Sequence, residues 1–200
     1  MPRTAYLALA AVGALALVGA TLSLKGVSSS ANAPAGAGNS EQNFAERGAY
    51  LVKIMGCNDC HTPWVLTPRG PEPDMRRQLS GHPESFVLSD RPNLGKGPWV
   101  WGAAATNTAF AGPWGVSFTA NLTPDPETGL GKWTAETFMK AIRTGRHEGQ
   151  GRPILPPMPW PMYRNATDDD LRSVFAYLQS IPAIRNRVPL PLDPPPSEMP

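Results

Sequence analysis

Cys57-Asn58-Asp59-Cys60-His61 is the stretch around which this 200-residue chain is organised. Two thiols three positions apart can add to the two vinyl groups of one haem, and the imidazole next in the chain then reaches the iron from the same side. The pattern therefore predicts one covalently bound haem c, held through Cys57 and Cys60, with His61 as the proximal iron ligand. Since the chain has two cysteines, such attachment leaves no thiol for a disulfide.

Two other uses of the motif can be weighed from its neighbours. A zinc site needs four nitrogen or sulfur ligands, which the two cysteines and three histidines supply in number. Adjacent Cys60 and His61, however, do not both reach one tetrahedral ion easily. A thioredoxin-like redox pair has a strand before it and a helix after it, whereas a helical pattern precedes Cys57 and Thr62-Pro63 follows His61. Haem attachment is the interpretation that fits best.

Composition indicates one domain with few helices. Hydrophobic residues make up 41% of the chain, and a haem adds a large apolar body around which they can pack. The 24 prolines and 19 glycines favour extended loops between short helices. Without Arg3 and Lys25, which belong to the N-terminal segment, 16 basic side chains stand against 16 acidic ones, so no nucleic-acid partner is expected.

The N-terminus is predicted to carry an export signal or a membrane anchor over residues 1–33. Residues 4–24 are uncharged and rich in Ala, Leu and Val, and small residues follow Lys25. This run is also about 20 residues long, which is enough to span a bilayer if it is not removed. The sequence therefore predicts a periplasmic protein, soluble after cleavage or anchored to the inner membrane by residues 4–24. Residues 34–40 are predicted to form a flexible leader.

Three helices are predicted. The first runs from Glu41 to Met55, where apolar residues recur at helical spacing. The second follows its N-cap Thr134 and stops at Gly145. The third follows its N-cap Thr167 and has three aspartates in its first turn, where the helix dipole favours negative charge.

The long middle part of the chain is predicted to be irregular. Residues 62–104 contain too many prolines for a helix or a central strand, and we expect an ordered loop with short helical turns. His82 in this loop is interpreted as an ordinary histidine, although a second imidazole could also ligate iron. One of the proline carbonyls from Pro68 to Pro73 could accept a hydrogen bond from the far nitrogen of His61. Residues 108–119 alternate around a Gly-Pro-Trp-Gly turn, which predicts a β-hairpin.

The second iron ligand is sought among the methionines, because a thioether opposite a histidine raises the haem potential. Met158 lies between Pro157 and Pro159, in a rigid loop that would keep its geometry in both oxidation states. It also precedes the last helix by enough chain to climb from the iron to the helix start. Met158 is therefore the predicted distal ligand, and Met162 is the second choice.

Together these features resemble the class I cytochrome c family, and more narrowly the exported bacterial monohaem cytochromes that accompany dehydrogenases and respiratory chains. Besides the haem motif, the similar stretches are Asn121-Leu122-Thr123-Pro124-Asp125, Gly131-Lys132-Trp133-Thr134, Met158-Pro159-Trp160 and Ala176-Tyr177-Leu178. The resemblance covers residues 41–188, which we take as the cytochrome domain. The stretch between His61 and Met158 is longer than in the smallest members of the family. Residues 189–200 are rich in proline and are predicted to be a mobile tail.

The resemblance implies an all-α fold in which the first and last helices cross around a covalently attached haem, with Gly48 near the crossing. The long loop and the hairpin would then be an insertion in this fold. The same attachment by two thioethers and the same histidine and methionine ligation are implied. Trp133 is expected to hydrogen-bond a haem propionate, with Asn121 or Arg143 as further candidates.

Three functions compete at this point. The leading one is a one-electron carrier, not itself an enzyme and without catalytic residues, which exchanges electrons with a dehydrogenase, an oxidase or a quinol-oxidising complex. The second is a haem enzyme or gas-binding protein, in which the distal site is open and Met158 merely packs. The third is a fixed cytochrome subunit of a membrane dehydrogenase or oxidase complex, which differs from the first in its partner rather than in its chemistry.

Overall fold

The computed structural model describes residues 37–88, 92 and 98–194. The export segment predicted over residues 1–33 lies outside the described residues, as do the start of the predicted leader and residues 195–200 of the predicted tail. Within the described part of the chain, no helix is both long enough and apolar enough to cross a membrane.

Five α-helices lie in the described residues: α1 (Ala37–Ile54), α2 (Cys57–His61), α3 (Ala135–Thr144), α4 (Trp160–Tyr163) and α5 (Asp168–Ser180). The predicted caps explain where α3 and α5 begin. The Thr134 hydroxyl accepts the Thr137 N–H at 3.2 Å, and the Thr167 hydroxyl accepts the Asp170 N–H at 3.1 Å. Each bond satisfies a backbone donor that the helix itself leaves free. Gly145 ends α3 with a φ of 66°, a left-handed conformation that glycine adopts without steric cost.

The prediction of an all-α fold is wrong, because the described residues also contain two antiparallel sheets. The first pairs β1 (Trp64–Thr67) with β2 (Gly70–Pro73), and the second has the order β3 (Gly102–Ala103), β4 (Ala109–Gly112), β5 (Gly115–Phe118). The protein is therefore mixed α and β. The β4–β5 pairing confirms the predicted hairpin, with Phe110 opposite Ser117.

The first sheet was missed because prolines argue against a strand. A central strand donates N–H groups to the strands on both of its sides. Pro71 and Pro73 of β2 have no N–H to donate. In a two-stranded ribbon each strand has an open edge, so a proline can lie opposite a partner without leaving a buried group unpaired. Pro71 pairs with Leu66 and Pro73 with Trp64 in this way.

The main core lies where α1 crosses α5, which confirms the predicted contact between the first and last helices. Leu51 and Val52 of α1 share one buried cluster with residues of α3 and α5, namely Phe138, Ile142, Leu171, Val174, Phe175 and Leu178. Gly48 lies at the crossing. A β-carbon there would overlap the Ser173 carbonyl oxygen and lie 2.7 Å from the Tyr177 β-carbon, so the close approach of the helices requires glycine.

The chain after α5 is extended, and its described end contacts β5. Leu192 and Val116 exchange two backbone hydrogen bonds of 2.9 and 2.8 Å, so the described start of the predicted tail pairs with β5. Mobility of residues 195–200 stays a prediction, because they lie outside the described residues.

Substituting Gly48 tests the helix crossing. Gly48→Ala should lower the free energy of unfolding by about 1–3 kcal/mol, because the added methyl group forces the helices apart. Alanine alone would favour the helix by about 1 kcal/mol, so the sign of the change is diagnostic. Urea denaturation measures it, with Gln42→Ala on the exposed side of α1 as the control. An equally stable or more stable Gly48→Ala protein would contradict the observed packing.

Candidate haem-attachment site

The attachment motif forms one short helix of its own. Gly56, with a φ of 68°, turns the chain between α1 and α2, and α2 consists of the five motif residues. The two thiols are three residues apart on the helix and so lie on one face. Both are free and half-buried. Burial raises the pKa of Cys57 to about 12 and also raises the pKa of Cys60. The thiols therefore stay protonated at neutral pH, unlike the activated thiolate of a thioredoxin-like pair.

His61 is buried and its ring is held by the backbone. Its Nδ1 lies 2.8 Å from the carbonyl oxygen of Ala120, so Nδ1 carries the proton and donates. The lone pair then resides on Nε2, the nitrogen that a metal would bind. Burial lowers the pKa of His61, which favours the neutral ring that a metal ligand must be. The expected proline acceptor within residues 68–73 was wrong, because the acceptor is the Ala120 carbonyl; residues 68–73 form the turn and second strand of the β1–β2 hairpin.

Hydrogen bonds join three chain segments around His61, namely residues 61–62, 79–82 and 119–122. We call these three segments the proximal ladder. The Gly81 N–H donates to the His61 carbonyl at 2.8 Å, and the Leu79 N–H donates to the Thr62 hydroxyl at 2.9 Å. On the other side, the His82 N–H donates to the Thr119 carbonyl at 3.0 Å. The middle segment thus joins the histidine to the segment that supplies its acceptor.

The two sheets between His61 and Met158 are hydrogen-bonded to the backbone of the attachment motif. The Trp64 indole N–H and the Asn107 side-chain amide both donate to the Asp59 carbonyl, at 2.9 and 2.8 Å. Trp64 begins β1, and Asn107 lies in the turn between β3 and β4. Both sheets therefore converge on the backbone between the two cysteines, a role that the sequence did not reveal.

Met158 and Met162 lie in different environments. Met158 is partly buried and packs against the main core cluster, as Cys57 does. Met162 is 70% exposed on α4. The Tyr163 hydroxyl donates to the Met55 carbonyl, which brings the loop and α4 next to the residues that lead into the motif. The structure therefore packs Met158, rather than the exposed Met162, against the core cluster that Cys57 also contacts.

The three residues predicted as candidates for a propionate contact have different surroundings. Trp133 is partly buried against the same core cluster, and its ring meets the edge of His147 at a centroid distance of 5.3 Å. The Asn121 amide donates to the Ile184 carbonyl at 2.8 Å, and Arg143 binds Asp168 at 2.6 Å. Trp133 thus stays the propionate candidate, whereas Asn121 and Arg143 already have protein partners.

His82 is fully buried and uses both ring nitrogens. Nδ1 lies 3.0 Å from the Thr108 hydroxyl, and Nε2 lies 2.9 Å from the Phe86 carbonyl. The ring also packs on Phe118 at a centroid distance of 4.8 Å. Iron ligation by His82 would break these contacts in the core, so the structure supports its interpretation as a structural histidine.

The donor set fits a haem c. Two protonated thiols lie on one helical face, the imidazole beside them has its Nδ1 engaged and its Nε2 left for a metal, and a thioether packs into the same core. A zinc site has less support, because within the described ranges no three His, Cys, Asp or Glu side chains are grouped so as to hold a metal ion.

Replacing His82 tests its structural role. Burial lowers the pKa of His82, so the unfolded chain binds the proton more tightly than the folded protein does. The stabilising contribution of the neutral ring is therefore present above about pH 6.5 and is lost as the pH falls below that value. His82→Gln should lower the free energy of unfolding by about 1–3 kcal/mol at pH 7 and flatten its decline on acidification.

Denaturation between about pH 5 and pH 7 gives the stability of both proteins across this window. The visible spectrum of the haem-loaded variant serves as the control and should match that of the wild type. A change of iron ligation in His82→Gln would show that His82, not a methionine, is the distal ligand.

Comparison with known proteins gives the family. No protein-family model matches the chain. It is 30% identical over 156 residues to a nicotinate dehydrogenase subunit of Pseudomonas putida, 27% over 154 residues to the cytochrome c subunit of the quinone-type alcohol dehydrogenase of Gluconobacter oxydans, and 33% over 151 residues to the fructose dehydrogenase cytochrome subunit of Gluconobacter japonicus. These matches cover 78%, 76% and 72% of the chain.

The chain spans only 10%, 25% and 24% of the lengths of these three relatives. By name, the alcohol and fructose dehydrogenase relatives are the cytochrome subunits of those enzymes. The chain therefore belongs to the cytochrome c family.

Proposed function

We propose that this protein is the electron-carrying cytochrome subunit of an exported dehydrogenase, with one haem c bound by Cys57 and Cys60 and ligated by His61 and Met158. The observation that carries the proposal is the His61 ring, buried and fixed through Nδ1 with Nε2 left for iron. The protein is proposed to work in the periplasm, on or near the inner membrane. It passes electrons from a catalytic subunit to the next carrier.

The relatives support the subunit role more than any particular substrate. Their names refer to nicotinate, alcohol and fructose dehydrogenases, and a further relative is a gluconate 2-dehydrogenase cytochrome c subunit. What they share is a cytochrome beside a dehydrogenase. We infer that the substrate is chosen by the catalytic partner, and that this chain contributes only the transfer of electrons.

The residues of the chain would keep the site unchanged during electron transfer. When bound, the haem supplies reversible one-electron oxidation and reduction. The Ala120 carbonyl holds the His61 ring in one orientation and one tautomer. Thr62, Leu79 and Thr123 are fully buried and exclude water from the side of His61. A site that moves little between two charge states needs little reorganisation, which suits a carrier rather than a catalyst.

The surface beside the motif suits a protein partner. Ile54, three residues before Cys57, is 59% exposed, and Met162 lies next to Tyr163, whose hydroxyl reaches Met55. Exposed apolar side chains near the attachment helix favour docking through apolar contacts, with little long-range steering by charge. The near balance of acidic and basic side chains beyond the N-terminal segment points the same way.

Methionine variants test the ligation and separate a carrier from an open-site haem protein. The oxidised, haem-loaded wild type should show the weak far-red band of iron–sulfur charge transfer. Met158→Ala should abolish this band and allow the ferrous protein to bind carbon monoxide. Met162→Ala is the matched control and should retain the band, because its side chain lies on the surface.

A wild type that lacks the band and binds carbon monoxide would overturn the carrier proposal in favour of a haem enzyme or gas-binding protein. Loss of the band in Met162→Ala alone would keep the carrier but move the distal ligand. The subunit role is tested by mild extraction of the native membranes, after which a dehydrogenase should co-purify with the cytochrome. Recovery of a free monomer under those conditions would contradict it.

A further inference from the structure

The chain beyond α5 contacts the segments that surround His61. Residues 182–194, which we call the C-terminal strap, run extended from the end of α5 to β5. Near the start of the strap, Ile184 and Asn186 contact two segments of the proximal ladder. At its far end, Leu192 pairs with Val116.

Asn186 binds the middle segment of the proximal ladder. Its side-chain amide donates to the carbonyls of Ser80 and His82, at 2.7 and 2.8 Å, and its side-chain oxygen accepts the Glu84 N–H at 2.8 Å. Ser80 and His82 flank Gly81, whose N–H donates to the His61 carbonyl. The Asn186 side chain is thus fully used and is itself buried. It fixes the Ser80–Gly81 peptide group, whose N–H holds His61, and the His82–Pro83 peptide group that follows.

The strap also binds the segment that supplies the acceptor for His61. Asn121, which follows Ala120 directly, donates to the Ile184 carbonyl at 2.8 Å, and its side-chain oxygen accepts the Thr123 N–H at 3.0 Å. The Ile184 N–H donates in turn to the Thr123 hydroxyl at 3.1 Å. Ile184 and Asn186 of the strap therefore hold the two ladder segments that are hydrogen-bonded to His61, one to its ring and one to its carbonyl.

We propose that Asn186 is a positioning residue for the axial histidine: by clamping residues 80–82 against residues 119–122 it keeps the Ala120 carbonyl in place for His61 Nδ1. Weakening the clamp loosens this hydrogen bond, and the imidazole then donates less electron density to the metal. The ferric form is stabilised less, so the midpoint potential rises. The inference rests on the proposed function, because it concerns His61 as an iron ligand.

The test compares haem-loaded wild type with Asn186→Leu, which is close to asparagine in shape and uncharged but removes both amide donors, and with the milder Asn186→Ser. Two quantities are measured: solvent exchange of the His61 Nδ1 proton by NMR in the ferrous protein, and the midpoint potential. The exchange should be about tenfold faster or more, because opening the ladder loses two buried hydrogen bonds. The potential should rise in both variants, and less in Asn186→Ser.

Asp170→Asn is the matched control. It removes the carboxylate charge that pairs with Arg47 through the 2.8 Å bond at the helix crossing, and so destabilises the fold without touching the ladder. This variant should keep the wild-type exchange rate and potential. If the Asn186 variants lower the free energy of unfolding but leave both quantities at wild-type values, Asn186 is only a structural clamp and the proposal is overturned. If His61 does not ligate iron in the wild type, the proposed function fails first and the inference falls with it.

Discussion

The hydrogen bond from His61 Nδ1 to the Ala120 carbonyl is the constraint on which the site depends. A free imidazole can present either nitrogen and can rotate, whereas an engaged Nδ1 leaves one tautomer, one orientation and one nitrogen for a metal. Burial adds to this by keeping the ring neutral. The thiols of the motif decide where a haem would attach, but this bond decides how the ring beside them faces it.

Delivering one carbonyl to that position takes contributions from distant parts of the chain. The acceptor is 59 residues from the histidine, and the strap that secures it is more than 60 residues further on. The crossing of α1 and α5 brings these parts together, since α1 leads into the motif and α5 leads into the strap. The two sheets hold the outer side of the motif through Asp59. The two sheets thus contribute hydrogen bonds that hold the attachment motif in place.

Local signals in the sequence predicted the features that depend on local chemistry. The caps at Thr134 and Thr167 and the hairpin around residues 112–115 have local sequence signatures, whereas the place of Gly48 at the helix crossing was implied by the family resemblance. The attachment motif has a local signature too, and haem attachment stays a proposal. The choice of Met158 rested on its flanking prolines; its partial burial agrees with that choice, and its ligation stays a proposal. The all-α class failed because prolines in β2 hid a two-stranded ribbon whose open edges tolerate them. Ala120 could not have been found, because every residue carries a carbonyl and no side chain marks the one that is used. Asn186 likewise looks like an ordinary loop asparagine until its partners are known.

The crystal structure of the haem-loaded protein, examined at the iron, tests the central claim most directly. The account predicts thioether bonds to Cys57 and Cys60, iron bound to His61 Nε2 on one side and to the Met158 sulfur on the other, and the His61 Nδ1 to Ala120 hydrogen bond intact. Iron bound to His82, or a His61 ring turned away from Ala120, would contradict it.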